Sequence, residues 1–214
     1  MNAQNATSAP RFPLSPELLA ETGSIAFSAA IQTITGTNFT AGEAYALMPD
    51  GTLENAELLA APLIAHVAAG HLLTSGKHAR VVAGAAVWSV GPKALDTLDH
   101  GMERLLPPNM AVAFGEFHTW VVCDGWLIDF AARTLPAKFD RAHRAMPFST
   151  RRGKWRKFPK TIRHDLSKPM PDPLTDVRAA YGYHERGPVL LDEVTHRLLP
   201  LLRKADRRAM ELAA

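Results

Sequence analysis

Apolar positions along the chain keep helical spacing through its first third and then change period. After Ser15, the stretch "PELLAETGSIAFSAAIQTITG" carries a hydroxyl at the N-cap position, proline at the first helical position and an acid in the first turn. These features predict a helix ending near Gly36, and "TAGEAYALM" adds a short one. In "LENAELLAAPLIAHVAAGHLLTSG", Leu, Ile and Val recur every three to four residues and Gly76 closes the run. Proline is tolerated only in a first turn, so Pro62 divides this pattern. The main helix is expected to start near Ala61–Pro62 and run to about Ser75.

Beyond Gly76 the residues become β-branched and apolar. "ARVVAGAAVWSV" (79–90) reads as a buried strand, "ALDTLDHGMERLL" (94–106) as a helix, and "MAVAF", "FHTWVVC" and "WLIDFAA" as strands. The order predicts an α+β fold, with helices packed on a mostly antiparallel sheet. Residues 1–14 read as a loose arm and 15–214 as one domain. Residues 147–175 form a basic, proline-containing segment, and an amphipathic helix is expected at about 189–211 with a kink at Pro200.

Composition narrows the class. The 214 residues include nine histidines and one cysteine, with a formal charge of +3. That basic bias is weaker than a dedicated nucleic-acid binder needs. One cysteine excludes an internal disulfide framework. With no secretory signal pattern and no apolar run of membrane-spanning length, the expected setting is cytoplasmic and away from membranes.

The stretch "GEFHTWVVCDGWLIDFAA" (115–132) holds a histidine, the sole cysteine and two aspartates. Asp124-Gly125 is a strong two-residue hairpin signal. Counting from it pairs Cys123 with Trp126, Val122 with Leu127, Val121 with Ile128, Trp120 with Asp129, and His118 with Ala131. Strand alternation then puts His118, Trp120, Val122, Leu127, Asp129 and Ala131 on one face, with His118 and Asp129 as diagonal neighbours. Cys123 lies an odd number of residues from His118, on the opposite face and about 16 Å along the strand. It is read as a small hydrophobe, too far away to be a nucleophile. A His–Asp pair can activate a thiol or hydroxyl, or the two side chains can simply satisfy each other at a sheet rim.

"HTWVVCDGWLIDF" resembles the histidine and aspartate strands of transglutaminase-like proteins in the papain-like superfamily, through His118, Trp120, Val121, Gly125, Trp126 and Asp129. Upstream, "LIAHVAAGHLLTSGKHARVVAG" is similar to that family's nucleophile helix and its A-R-V-V-x-G strand, through Ala79, Arg80, Val81, Val82 and Gly84. The resemblance covers roughly 55–132. It implies a transglutaminase-like fold, with a central helix against an antiparallel sheet and flanking helices. It also implies acyl transfer or amide hydrolysis, with His118 as base and Asp129 orienting it. Trp120 would line the cleft, and the N–H groups near Ala61–Leu63 would form an oxyanion site.

The family's cysteine position falls on Ala61, beside Ala60, so the expected nucleophile is missing. Three explanations stand: a natural pseudoenzyme, an inactivated amide hydrolase or acyl transferase in which alanine replaces cysteine, or a nearby hydroxyl such as Thr52. The expected ligand is a peptide or an amide-containing small molecule. The alternative function is a non-catalytic binding protein, using the cleft or the basic segment 151–163.

That segment, "RRGKWRKFPKTIR", interleaves seven basic residues with Trp155 and Phe158. It suits phosphate backbones or an acidic partner, but reads first as a solvated edge. His66 and His71 are five apart on a helix, on different faces, and His78 lies in the turn beyond. No metal site is expected. "TSGKHAR" and "AGAAVWSVG" match no phosphate or dinucleotide loop, so no cofactor is expected either. Trp88 and Trp126 read as core.

Overall fold

A computed structural model describes residues 12–36, 60–91, 96–102, 107–113, 115–145 and 159–214. The two long amino-terminal helices form as their patterns predict. Helix α1 spans Pro16–Thr35, and Ser15 caps it by accepting from the Leu18 N–H at 3.2 Å. Helix α2 spans Ala61–Thr74 with Pro62 in its first turn, where the missing N–H costs no intrahelical bond. The expected helix in "TAGEAYALM" lies outside the described residues.

The sheet is antiparallel and six-stranded among the described residues: β1 (Ala79–Ser89), β2 (Thr97–His100), β3 (His118–Cys123), β4 (Trp126–Asp129), β5 (Ile162–Asp165) and β6 (Tyr181–Glu185). Its axis is β1, which pairs with β3 from Ala79 to Gly84 and with β2 from Ala86 to Ser89. Strand β6 pairs with Gly84–Trp88. The hairpin joining β3 and β4 has the expected register, from Cys123 opposite Trp126 to Val121 opposite Ile128. Asp124 and Gly125 both have positive φ (48° and 81°), the twist that a two-residue hairpin turn requires.

Three expectations are corrected. Thr97–His100, expected inside a helix, is a strand, because pairing with β1 overrides a weak helical pattern and points Leu98 inward. Residues 110–113, expected as strand from "MAVAF", lie in the short helix α3 (Pro108–Ala113), opened by its proline. Strand β4 stops at Asp129 rather than Ala132. There the Asp129 side chain accepts the Ala131 N–H at 2.8 Å and caps a 3₁₀ turn over Phe130–Thr134. Trp120 and His118 consequently have no ladder partners at Asp129 and Ala131, and Asp129 pairs with Ile162 of β5 instead.

Helix α4 follows at Leu135–Ala145, and helix α5 closes the chain at Pro188–Ala213, running through Pro200. Helices α1, α2 and α5 pack together on one face of the sheet, burying Ala83, Val121, Cys123 and Ile128. The other face carries Val82, Ala86, Trp88, Trp120, Leu127 and Tyr183 under Leu135 and Phe139 of α4. Each of these larger than alanine contributes roughly 1.5–3 kcal/mol when fully buried. Phe12 packs edge-on against Trp126 and Leu14 is buried, so the end of the expected loose arm joins the core. Among the described residues, no helix is long and apolar enough to cross a membrane.

Candidate functional site

Strand alternation decides what surrounds His118. It is directly opposite Gly84, so its side chain shares a face with the even-numbered residues of β1, and Trp88 presents its indole edge-to-face at 5.0 Å. The Trp120 ring stacks alongside at 6.3 Å. Tyr183, opposite Ala86, lies on the same face with its ring 6.2 Å from that of His118. Gly84 is the residue that lets these strands close: a Cβ there would collide with the His184 carbonyl and sit 2.8 Å from the Trp120 ring.

His118 Nε2 is 3.0 Å from Asp129 Oδ2, and both side chains are buried. A carboxylate only accepts, so Nε2 carries the proton and Nδ1 of the neutral ring presents its lone pair. The same Oδ2 accepts the Tyr183 hydroxyl at 2.7 Å, and that hydroxyl oxygen accepts the Trp88 indole N–H at 3.2 Å. Oδ1 is taken by the Ala131 N–H. Asp129 is thus held by two side-chain donors and one backbone donor, which fixes the imidazole plane through it.

Burial holds the His118 imidazole below the ordinary histidine range, against the pull of Asp129, and the Lys138 ammonium adds to the lowering. His100 is lowered further by burial and by Lys138. Its Nδ1 donates to the Phe117 carbonyl at 3.0 Å, and its ring lies 6.3 Å from that of His118. Burial would raise Asp129, but the charge of His118 and its hydrogen bonds outweigh that, and its carboxyl sits below the usual value. Burial pushes the Tyr183 phenol well up, so it remains a donor. His118 Nδ1 is buried with no hydrogen-bonding partner.

The structure therefore brings His118, Asp129 and Trp120 together. Ala61 stands at the first residue of α2, buried among Ala60, Leu63 and Ile64 in the cluster on the α2 face of the sheet, whereas the rings around His118 belong to the other face. Cys123 ends β3 on the α2 face, with its thiol pushed up to about 11 by burial and by the neighbouring Asp124 charge. Such a thiol is not a nucleophile near neutral pH. Thr52, Trp155 and Phe158 lie outside the described residues. Of the basic segment, Arg163 stacks over the Phe12 ring at 4.7 Å. His66 bonds to Asp206 at 3.0 Å and His71 to Thr22 at 3.0 Å, both as contacts between helices. Among the described residues, no group of three or more His, Cys, Asp or Glu side chains is placed to hold a metal.

Sequence reasoning missed Tyr183, Lys138 and His100, and read Trp88 only as core. Trp88 carried a usable signal, since it has the parity of Gly84. The other three sit on elements whose docking no local pattern announces.

Residues 55–157 match a family model described as "Protein of unknown function (DUF2026)", a span that takes in α2, β1, the β3–β4 hairpin and α4. A solved crystal structure described only as a genomics target is similar at 17% identity, covering 92% of this chain and 78% of that chain, with a TM-score of 0.51. At that identity the likeness concerns the fold alone. No curated protein matches the chain.

Proposed function

We propose that this chain is a transglutaminase-like scaffold without its nucleophile, which holds a peptide or amide-containing ligand non-covalently beside His118 and Asp129. The observation that carries the reading is the state of the imidazole. Its Nε2 is engaged by a carboxylate that Tyr183 and a backbone N–H also hold, while its buried Nδ1 has no partner. In a Cys–His–Asp hydrolase that second nitrogen faces the thiol and takes its proton. The residue order of helix, β1, histidine strand and aspartate strand supports the same reading. Ala61 supplies no reactive atom, and the chain's single cysteine ends β3 at the far end of the strand from His118, with too weak an acidity. Covalent acyl chemistry through a thioester is therefore closed to the chain with alanine at 61.

An Ala61→Cys variant in a Cys123→Ala background tests this. Its alkylation rate is followed against pH, with and without His118→Ala. The reading expects a thiolate well below the free-cysteine pKa of about 8.5, raised again when His118 is removed. An ordinary acidity insensitive to His118 would mean that the start of α2 does not reach the imidazole. The His118–Asp129 pair would then be a buried polar network and the family reading would fall.

A further inference from the structure

Among the described residues, Lys138 is the lysine or arginine buried against the same face of the sheet as His118. On α4, Leu135 and Phe139 pack into the sheet, and Lys138 between them is only 7% exposed. Its ammonium stands over the Trp88 indole, 5.3 Å from the ring centre, and no hydrogen-bonding partner reaches Nζ. Trp88 is also the ring that meets His118 edge-on. Two buried polar atoms without partners, Lys138 Nζ and His118 Nδ1, are therefore set around one indole.

The charges there balance but do not meet. Among the described residues, the anion that acts on Lys138 is Asp129, and its oxygens are already taken by His118, Tyr183 and the Ala131 N–H. Asp129 favours the charged form of Lys138 without touching it, and burial still brings the ammonium down to about 8. His100 and His118 are held neutral by burial. A buried ammonium without a contact anion is costly, and an apolar residue of the same length would suit that side of α4 better. Packing does not account for a lysine here, whereas a ligand that supplies a contact acceptor for Nζ does.

We propose that Lys138 anchors the carboxylate of the ligand held beside His118, and that the ligand carries an N–H donor next to that carboxylate. Lys138 donates to the acid, and the Nδ1 lone pair of His118 accepts the N–H. A carboxylate brings one negative charge beside Lys138 and Asp129, whereas a phosphate dianion would bring two among Trp88, Trp120 and Tyr183, at a greater desolvation cost. An N-acylated amino acid or the carboxyl-terminal residue of a peptide has this chemistry. The proposal rests on the reading that the His118 site holds a ligand, and it defines which class.

The test titrates the unaltered protein with N-acetylglycine and with its neutral amide, N-acetylglycinamide, following the ring resonances of ¹⁵N-labelled histidine. Saturable shifts of His118 with the acid, and none with the amide, are expected. Lys138→Met is expected to weaken the acid at least tenfold. An acylated tetrapeptide acid in place of N-acetylglycine separates the two sources: binding of both points to a peptide terminus, binding of the small acid alone to a free metabolite. No saturable shift, equal shifts with the amide, reproduction by chloride at matched ionic strength, or unchanged affinity in Lys138→Met would each overturn the proposal. The measurement uses no residue at 61, so its failure and that of the cysteine-restoration test are read separately.

Discussion

Tyr183 and Asp129 meet at 2.7 Å although 54 residues separate them and β1 and β3 lie between their strands. The phenol bridges these strands on one face and donates to the oxygen that His118 also uses. It is a positioning residue: it holds Asp129, and Asp129 holds the imidazole. Trp88 extends the chain by donating to the phenol oxygen.

Replacing Tyr183 with Phe keeps the ring and removes the hydroxyl. Asp129 loses a donor and the Trp88 indole N–H loses its acceptor, both in a buried setting. Stability should fall by about 1–3 kcal/mol. A second readout separates positioning from mere packing. In the Ala61→Cys, Cys123→Ala background, the alkylation midpoint should move up with Tyr183→Phe, whereas a merely structural role would leave it in place. Urea unfolding and alkylation against pH measure the two effects.

Gly84 is opposite His118 on one side and Glu185 on the other, and a side chain there would meet the His184 carbonyl. A backbone atom cannot swing aside as a flexible side chain can. Gly84→Ala should cost roughly 2–3 kcal/mol and should broaden or shift the His118 and Trp120 resonances together. A neutral effect on both would show that β6 gives way at little cost.

The buried histidines set an acid limit. His118 and His100 bind protons less readily folded than unfolded, so below the unfolded value of about 6.5 the unfolded chain takes up more protons. Stability should therefore fall as pH drops below about 6.5. Asp129, lowered in the fold, adds a second loss beginning near pH 4 as it protonates. Lys138 acts at the other end. Its folded value of about 8 lies below its unfolded one, so stability should rise between about pH 8 and 10 as the folded ammonium gives up its proton. Thermal unfolding across pH measures all three. A flat profile between pH 5 and 6.5 would mean that the imidazoles are not held neutral.

Local rules were sufficient for several elements. Ser15-Pro16 opened α1, Pro62 marked the start of α2, and Asp124-Gly125 set the hairpin register by its turn geometry alone. Counting from that turn was enough to put His118 and Asp129 on one face and Cys123 on the other. It was not enough to end β4. Asp129 turns its carboxylate back onto the Ala131 N–H, a capping choice that competes with strand continuation. Thr97–His100 misled for a related reason, since a four-residue strand is decided by the partner edge it finds.

The sequence by itself thus determined the His–Asp pair, the separation of the sole cysteine from it and the helix that begins at Ala61. These follow from period, turn chemistry and residue identity, which act over a few positions. Only the tertiary structure decided that Tyr183 would hold Asp129, that Lys138 would be buried without a partner, and that Trp88 would lie beneath both Lys138 and His118. Those outcomes depend on how β6 and α4 dock onto β1. Docking is driven by non-directional burial of apolar faces, and it brings together polar groups that carry no mark of one another along the chain.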